Sequence, residues 1–155
     1  MATFETVLAS ILDLDEKEIL STTSGDWEML DPEFNEPMFG SLFAHRTDDG
    51  FEDCVLGVDF DDSYVMCIVV AKPKFRWHGH HLRVTKGKEL HRIPVLTPPT
   101  KAQLEQIVSA VEDGVQQTRK KWTLCEHCGE SRPAAYIEEP GVCMGCAHEV
   151  LGTVY

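Results

Sequence analysis

The apolar positions change period twice along the chain. Near the start, Phe4, Val7, Leu8, Ile11 and Leu12 recur at helical spacing and predict a helix over 3–12. Asp15 with Glu18 reads as a capping box for a short second helical turn, stopped by STTSGD at 21–26. Residues 27–36 mix acids with nearby prolines and read as a surface loop. From Phe39 the period falls to two. Residues 39–46, 54–60 and 63–71 read as strands, 74–84 as a fourth strand or irregular arm interrupted at Gly79, and 91–96 as a short fifth. A two-residue turn at Asp61-Asp62 would set Phe60 opposite Ser63 and Leu56 opposite Cys67. Cys54 and Cys67 would then be diagonal neighbours on one face, too far apart for an easy disulfide. Both read as small buried apolar residues.

The helical period returns after TPPT at 97–100. Thr100 is placed to cap a helix and Gln103 to complete a capping box. Leu104, Ile107, Val108, Val111 and Val115 line one face, and Arg119, Lys120 and Lys121 suit the negative end of the helix dipole. Gly114 weakens the helix without breaking its period. The pattern predicts an α+β domain over 1–121: a mainly antiparallel sheet with flanking helices. A cysteine-rich module over 122–155 follows with almost no linker.

Composition narrows the class. The chain has 155 residues, 43% of them hydrophobic, enough for one core. No apolar run approaches the roughly 18 residues that a membrane-spanning helix needs. The N-terminus lacks a basic region and turns acidic early, so a secretory signal is not expected and the cytoplasm is. The net charge of −12 is unevenly spread: residues 1–71 carry −15, and 72–92 carry +6. A net-acidic chain is a poor general ligand for nucleic acid, whose phosphates need positive charge. The basic segment is the exception, and its plainest reading is an exposed hairpin that offsets the acidic half.

Four of the six cysteines form C-x2-C-x14-C-x2-C: Cys125, Cys128, Cys143 and Cys146. Each CxxC turn presents two thiolates to one side of an ion, and two such turns close a tetrahedral shell. Zinc is the expected ion; iron uses the same ligands. Gly129 follows the first pair, where a tight knuckle favours a positive φ. Ala134–Ile137 is strand-like, Glu139-Pro140-Gly141 is a turn, and after Cys143 the residues Ala147, Val150 and Leu151 fall on a helical stripe. Knuckle, hairpin and helix, with two ligands in the helix's first turn, is the arrangement of a treble clef. Four thiolates leave no position for water or substrate, which argues for a structural zinc rather than a catalytic one. His127 and His148 lie beside the ligands and read as surface or supporting residues.

The segments CEHCGES at 125–131, PGV at 140–142 and CMGCAHEV at 143–150 resemble the N-terminal zinc-binding domain of the unfoldase ClpX. The resemblance is confined to the last fifth of the chain. It implies zinc ligation by Cys125, Cys128, Cys143 and Cys146, and suggests a module that docks proteins and pairs with a second copy. An apolar stripe at Val150, Leu151, Val154 and Tyr155 needs cover. Trp122 and the long helix of the same chain are the preferred cover, and a homodimer is the alternative.

A second candidate surface lies in the basic segment: Lys72, Lys74, Arg76, Trp77, His78, His80, His81 and Arg83. Three histidines in four residues can bind a transition metal or titrate near neutral pH, and on a strand His78 and His80 would share a face. Phe75 and Trp77 alternate with cations, which suits stacking against single-stranded nucleic acid. Asp59, Asp61 and Asp62 read as turn residues rather than an acid–base pair. No GxSxG, HExxH, Walker A, GxGxxG or HxE…PCxxC pattern is present. The expected function is therefore non-enzymatic: a zinc-binding protein that acts as a protein-interaction or adaptor module. A nucleic-acid-binding regulator using 72–92 is the alternative.

Overall fold

The computed structural model describes residues 3, 7–9, 12, 26–30, 42–47, 50–96, 99–138 and 141–147. Five strands form one antiparallel meander in chain order: β1 (Asp26–Met29), β2 (Phe43–Arg46), β3 (Glu52–Phe60), β4 (Met66–His78) and β5 (His81–Pro94). Helix α1 (Lys101–Arg119) packs across β3, β4 and β5. Two small ladders follow, β6 (Thr123–Leu124) with β7 (Ser131–Arg132) and β8 (Ile137–Glu138) with β9 (Val142–Cys143). A single helical turn, α2 (Met144–Cys146), comes after them. Residues 7–9 and 12 are helical, in the segment expected to form the first helix. The capping box at Asp15 and Glu18, and the stripe at Val150, Leu151, Val154 and Tyr155, lie outside the described residues.

The core forms between the sheet and α1. Alternate residues Cys54, Leu56, Val58, Ile68, Val70 and Ile93 meet Ile107, Ala110 and Val111. Burying side chains of this size stabilises the fold by about 1.5–3 kcal/mol each. The predicted capping box at Thr100 and Gln103 is present in both directions. The helix lies very close to the sheet at Gly114, where an added Cβ would sit 2.9 Å from Cγ1 of Val70. A β-branched side chain on a central strand yields little. Gly114→Ala is therefore expected to destabilise the protein by about 1–2 kcal/mol in urea unfolding, overriding the gain of about 1 kcal/mol in helix propensity.

Three strand expectations are corrected. Residues 27–29 belong to β1 rather than a loop, and Trp27 is buried in the core between sheet and helix. The segments 63–71 and 74–84 are not separate strands. One 13-residue strand runs to His78, turns at Gly79-His80 and returns along β5, which also absorbs the expected fifth strand. Pro73 is accommodated because the ladder is irregular beside it, so no N–H is required there. The third correction is the β3–β4 register. Phe60 pairs with Met66 and Leu56 with Val70, because the turn spans five residues rather than two. Asp61 organises it: its Oδ1 accepts from the amides of Ser63 and Val65, at 2.8 and 2.9 Å. This register shift is an odd number of residues, so it exchanges the faces of β4. Cys54 lies on the helix side and Cys67 on the reverse side, both buried. Asp59 is not a turn residue but a β3 residue paired with Arg92 at 2.8 Å, and that hydrogen bond holds its carboxyl low.

A bulge between β2 and β3 has a structural use. His45 pairs with Cys54 and Arg46 with Glu52, which leaves Asp53 as the extra residue. Asp53 is fully buried and contacts both the sheet and the helix. Its Oδ1 lies 2.5 Å from His45 Nδ1, and its Oδ2 accepts from Arg119 Nε and Nη2 at 2.9 and 2.7 Å. Arg119 thus anchors the end of α1 to the sheet, a role beyond the expected dipole complement.

Candidate metal centre

The first CxxC pair sits in a knuckle between β6 and β7. The amide of Cys125 bonds to the carbonyl of Glu130, that of Gly129 to the carbonyl of Cys125, and Gly129 takes φ +74° as its position predicts. The second pair begins at the end of β9 and runs through α2. The amide of Glu126 bonds to the carbonyl of Gly141 and so ties the two halves together.

These elements bring all four Sγ atoms within 4.8 Å of one another. Tetrahedral ligation at about 2.3 Å requires sulfur atoms roughly 3.8 Å apart. Cys128 Sγ and Cys143 Sγ are 4.0 Å apart, so the donor set fits an ion of this kind. Cys125 Sγ also accepts backbone amides from Cys143 at 3.3 Å and Cys128 at 3.5 Å. These amides draw its pKa down to about 6, while burial pushes Cys146 up to about 12. Four crowded sulfurs share one site of limited negative capacity, and a dication would supply the charge that lets all four be thiolates. Among the described residues this is the one group of three or more His, Cys, Asp or Glu side chains placed to hold an ion. His127 is exposed in the knuckle, and His148 lies outside the described residues.

Aromatic contacts join the cysteine segment to the sheet. Tyr136 meets Phe51 edge-on at 4.9 Å and Phe75 at 5.5 Å. Phe51 also meets Trp122 at 6.5 Å, and the Arg132 guanidinium lies 4.6 Å from the Phe51 centroid. Burial, followed by the charge of Glu52, raises Tyr136 to about 12.

The chain matches no protein-family model, no curated protein and no solved structure.

The basic segment is the far half of β4 and the near half of β5, a two-stranded ribbon. Arg76 pairs directly with Arg83, Trp77 with Leu82, and His78 with His81. Alternation puts Lys74, Arg76, His78, His81 and Arg83 on one face and Phe75, Trp77, Leu82 and Val84 on the other. Lys74, Arg76, Trp77, His78, His80 and His81 are exposed; Lys72 and Arg83 are half-buried. His80 lies in the turn, so it does not share a strand face with His78 as expected. Among the described residues, the three histidines are part of no cluster of three or more side chains placed to hold an ion. The interleaved aromatics also divide: Phe75 is used against Tyr136, and Trp77 alone is left at the tip, 49% exposed.

The sequence pattern missed Asp53, His45 and Glu52. A carboxylate opening an otherwise apolar strand is the only signal of a buried acid in that run. No helix is long and apolar enough to cross a membrane among the described residues.

Proposed function

We propose that Cys125, Cys128, Cys143 and Cys146 hold one structural zinc ion in a treble-clef module spanning 122–155. On this reading the protein is a non-enzymatic interaction module whose partner is an acidic protein segment. The observation that carries the reading is the convergence of four Sγ atoms within 4.8 Å, a set that fills a tetrahedral shell and leaves no place for substrate. The ion's task is then to stiffen the segment that carries Trp122 and Tyr136 against the ribbon base. The ribbon supplies the docking surface. Lys74 and Arg76 stand exposed along one face of it, where an anionic segment would pair with them. The same cations support a second reading, a single-stranded nucleic acid whose phosphates lie along Lys74 and Arg76.

Native mass spectrometry should find one zinc per chain; a protein without metal, or one coloured by iron, would count against the centre. For the surface, fluorescence anisotropy with a labelled Glu-rich peptide should show binding that the paired reversals Lys74→Glu and Arg76→Glu weaken about tenfold or more. A labelled oligonucleotide bound more tightly than the peptide, with a steep loss in salt, would replace the protein partner with nucleic acid.

A further inference from the structure

The two edge strands of the sheet, β1 and β5, lie at opposite ends of the strand order, yet they border the same cavity of about 290 Å³. It sits on the face of the sheet away from α1. Leu30 lines it and also packs on the small cluster of Leu42, Ala44, Val55 and Ala71 on that face. Leu82 and Val84 border it from the ribbon, and Glu28, Arg46 and Glu52 from the other strands. Arg83 borders it too, but alternation turns its side chain to the opposite face of the ribbon, with Arg76. The cavity is separate from the cysteine quartet, and nothing in the metal reading uses it.

One charged group of the wall is left with an open acceptor. Glu52 is only 9% exposed, and its Oε2 is buried with no hydrogen-bond partner. Arg46 does not fill the gap. It donates from Nη1 to Glu28 at 2.7 Å and from Nη2 to the carbonyl of Gly50 at 3.1 Å. Its Nε lies 3.6 Å from the other Glu52 oxygen, Oε1, beyond hydrogen-bond reach. Burial raises the Glu52 carboxyl above the usual range, outweighing its own amide and Arg46, which lower it. The fold therefore keeps this oxygen open at a loss of stability.

The walls define what completes the site. Glu28, Glu52 and Arg46 sum to one negative charge when both carboxylates are ionised, so a single monocation balances them. A dication would leave excess positive charge beside Arg46, and the aliphatic walls cannot hydrate a small inorganic ion. A guanidinium fork asks for two carboxylate oxygens, whereas one is open here. An ammonium is a point donor that one oxygen can satisfy. Leu30, Leu82 and Val84 offer cover for an alkyl chain, and the volume suits a small molecule. We propose that this cavity binds a small primary alkylamine, its ammonium on Glu52 Oε2 and its chain against Leu30, Leu82 and Val84.

The test is a titration of the full chain followed by backbone amide NMR. The probe is n-pentylamine, and pentanoate and 1-pentanol are chain-matched controls. Pentylamine should shift the amides of Leu30, Glu52, Leu82 and Val84 saturably, with a Kd on the order of 1 mM. Both controls should bind about tenfold more weakly or less. Glu52→Gln keeps the shape and removes the charge, so it should weaken pentylamine about tenfold while the spectrum stays dispersed. Val84→Phe fills the cavity from the ribbon and leaves the carboxylate intact, so it should weaken pentylamine and 1-pentanol alike. No shift with pentylamine at concentrations on the order of 10 mM, equal shifts with pentanoate, or unchanged binding in either variant would overturn the proposal. Tighter binding of Nα-acetyl-lysine N-methylamide than of pentylamine would overturn the free amine and assign the carboxylate to a lysine side chain of another protein.

Discussion

Replacing Cys125 by serine is expected to abolish the proposed zinc site and unfold the segment from Thr123 to Ala147. Cys125 is the best connected of the four cysteines: it is fully buried, and its Sγ accepts amides from both Cys128 and Cys143. Among the described residues, few other contacts hold the segment. Its own cluster is small, with Val142, Ala147 and partly buried Ile137 around the cysteines, and its ladders are two residues long. Structural zinc contributes about 10–16 kcal/mol in comparable small modules, so nothing else in this segment matches it. The loss should spread to the sheet through the aromatic cluster. Phe51 and Phe75 would lose Tyr136, and each such ring pair is worth about 0.5–1.5 kcal/mol beyond its buried area. Elemental analysis should then find almost no zinc, and hydrogen exchange should show rapid exchange over 123–147 with slowed exchange retained in β3 and β4. Unchanged protection over 123–147 without metal would refute this account.

The second large effect is expected at Asp53. Asp53→Ala should destabilise the protein by about 3–5 kcal/mol, because it leaves a buried network without its shared partner. His45 is 2% exposed and cannot turn to water, whereas Arg119 is about half exposed and can. Arg119→Leu should therefore cost clearly less than Asp53→Ala. Its effect is limited to the helix end and to the guanidinium 5.8 Å from the Trp122 centroid. Urea unfolding of the two variants ranks them; equal losses would show that the aspartate–arginine contact, and not the buried histidine, carries the network.

The helix α1 and the clustering of four cysteines were legible because their signals are local. A capping box needs four consecutive residues, and a period of 3.6 shows within two turns. The CxxC pairs are local in the same sense, since each closes its own turn around an ion. The β3–β4 register was not legible. A two-residue turn at Asp61-Asp62 and the observed five-residue turn both fit the local sequence. The side chain of Asp61 bonding to two later amides decides between them. Both faces of β3 are apolar, so alternation alone did not reveal the slip.

The sequence by itself determined the mixed class, the antiparallel sheet, the capped helix and the identity of four converging cysteines. Each depends on spacing along the chain, which folding leaves unchanged. Only the tertiary structure decided that Asp53 is bulged into the helix interface, that Phe75 serves the cysteine segment rather than the ribbon tip, and that Glu52 lies buried with an open oxygen. Those outcomes depend on which strands meet after the sheet curls. A one-residue bulge or an odd register shift moves a side chain from one face to the other without any trace in its neighbours' composition.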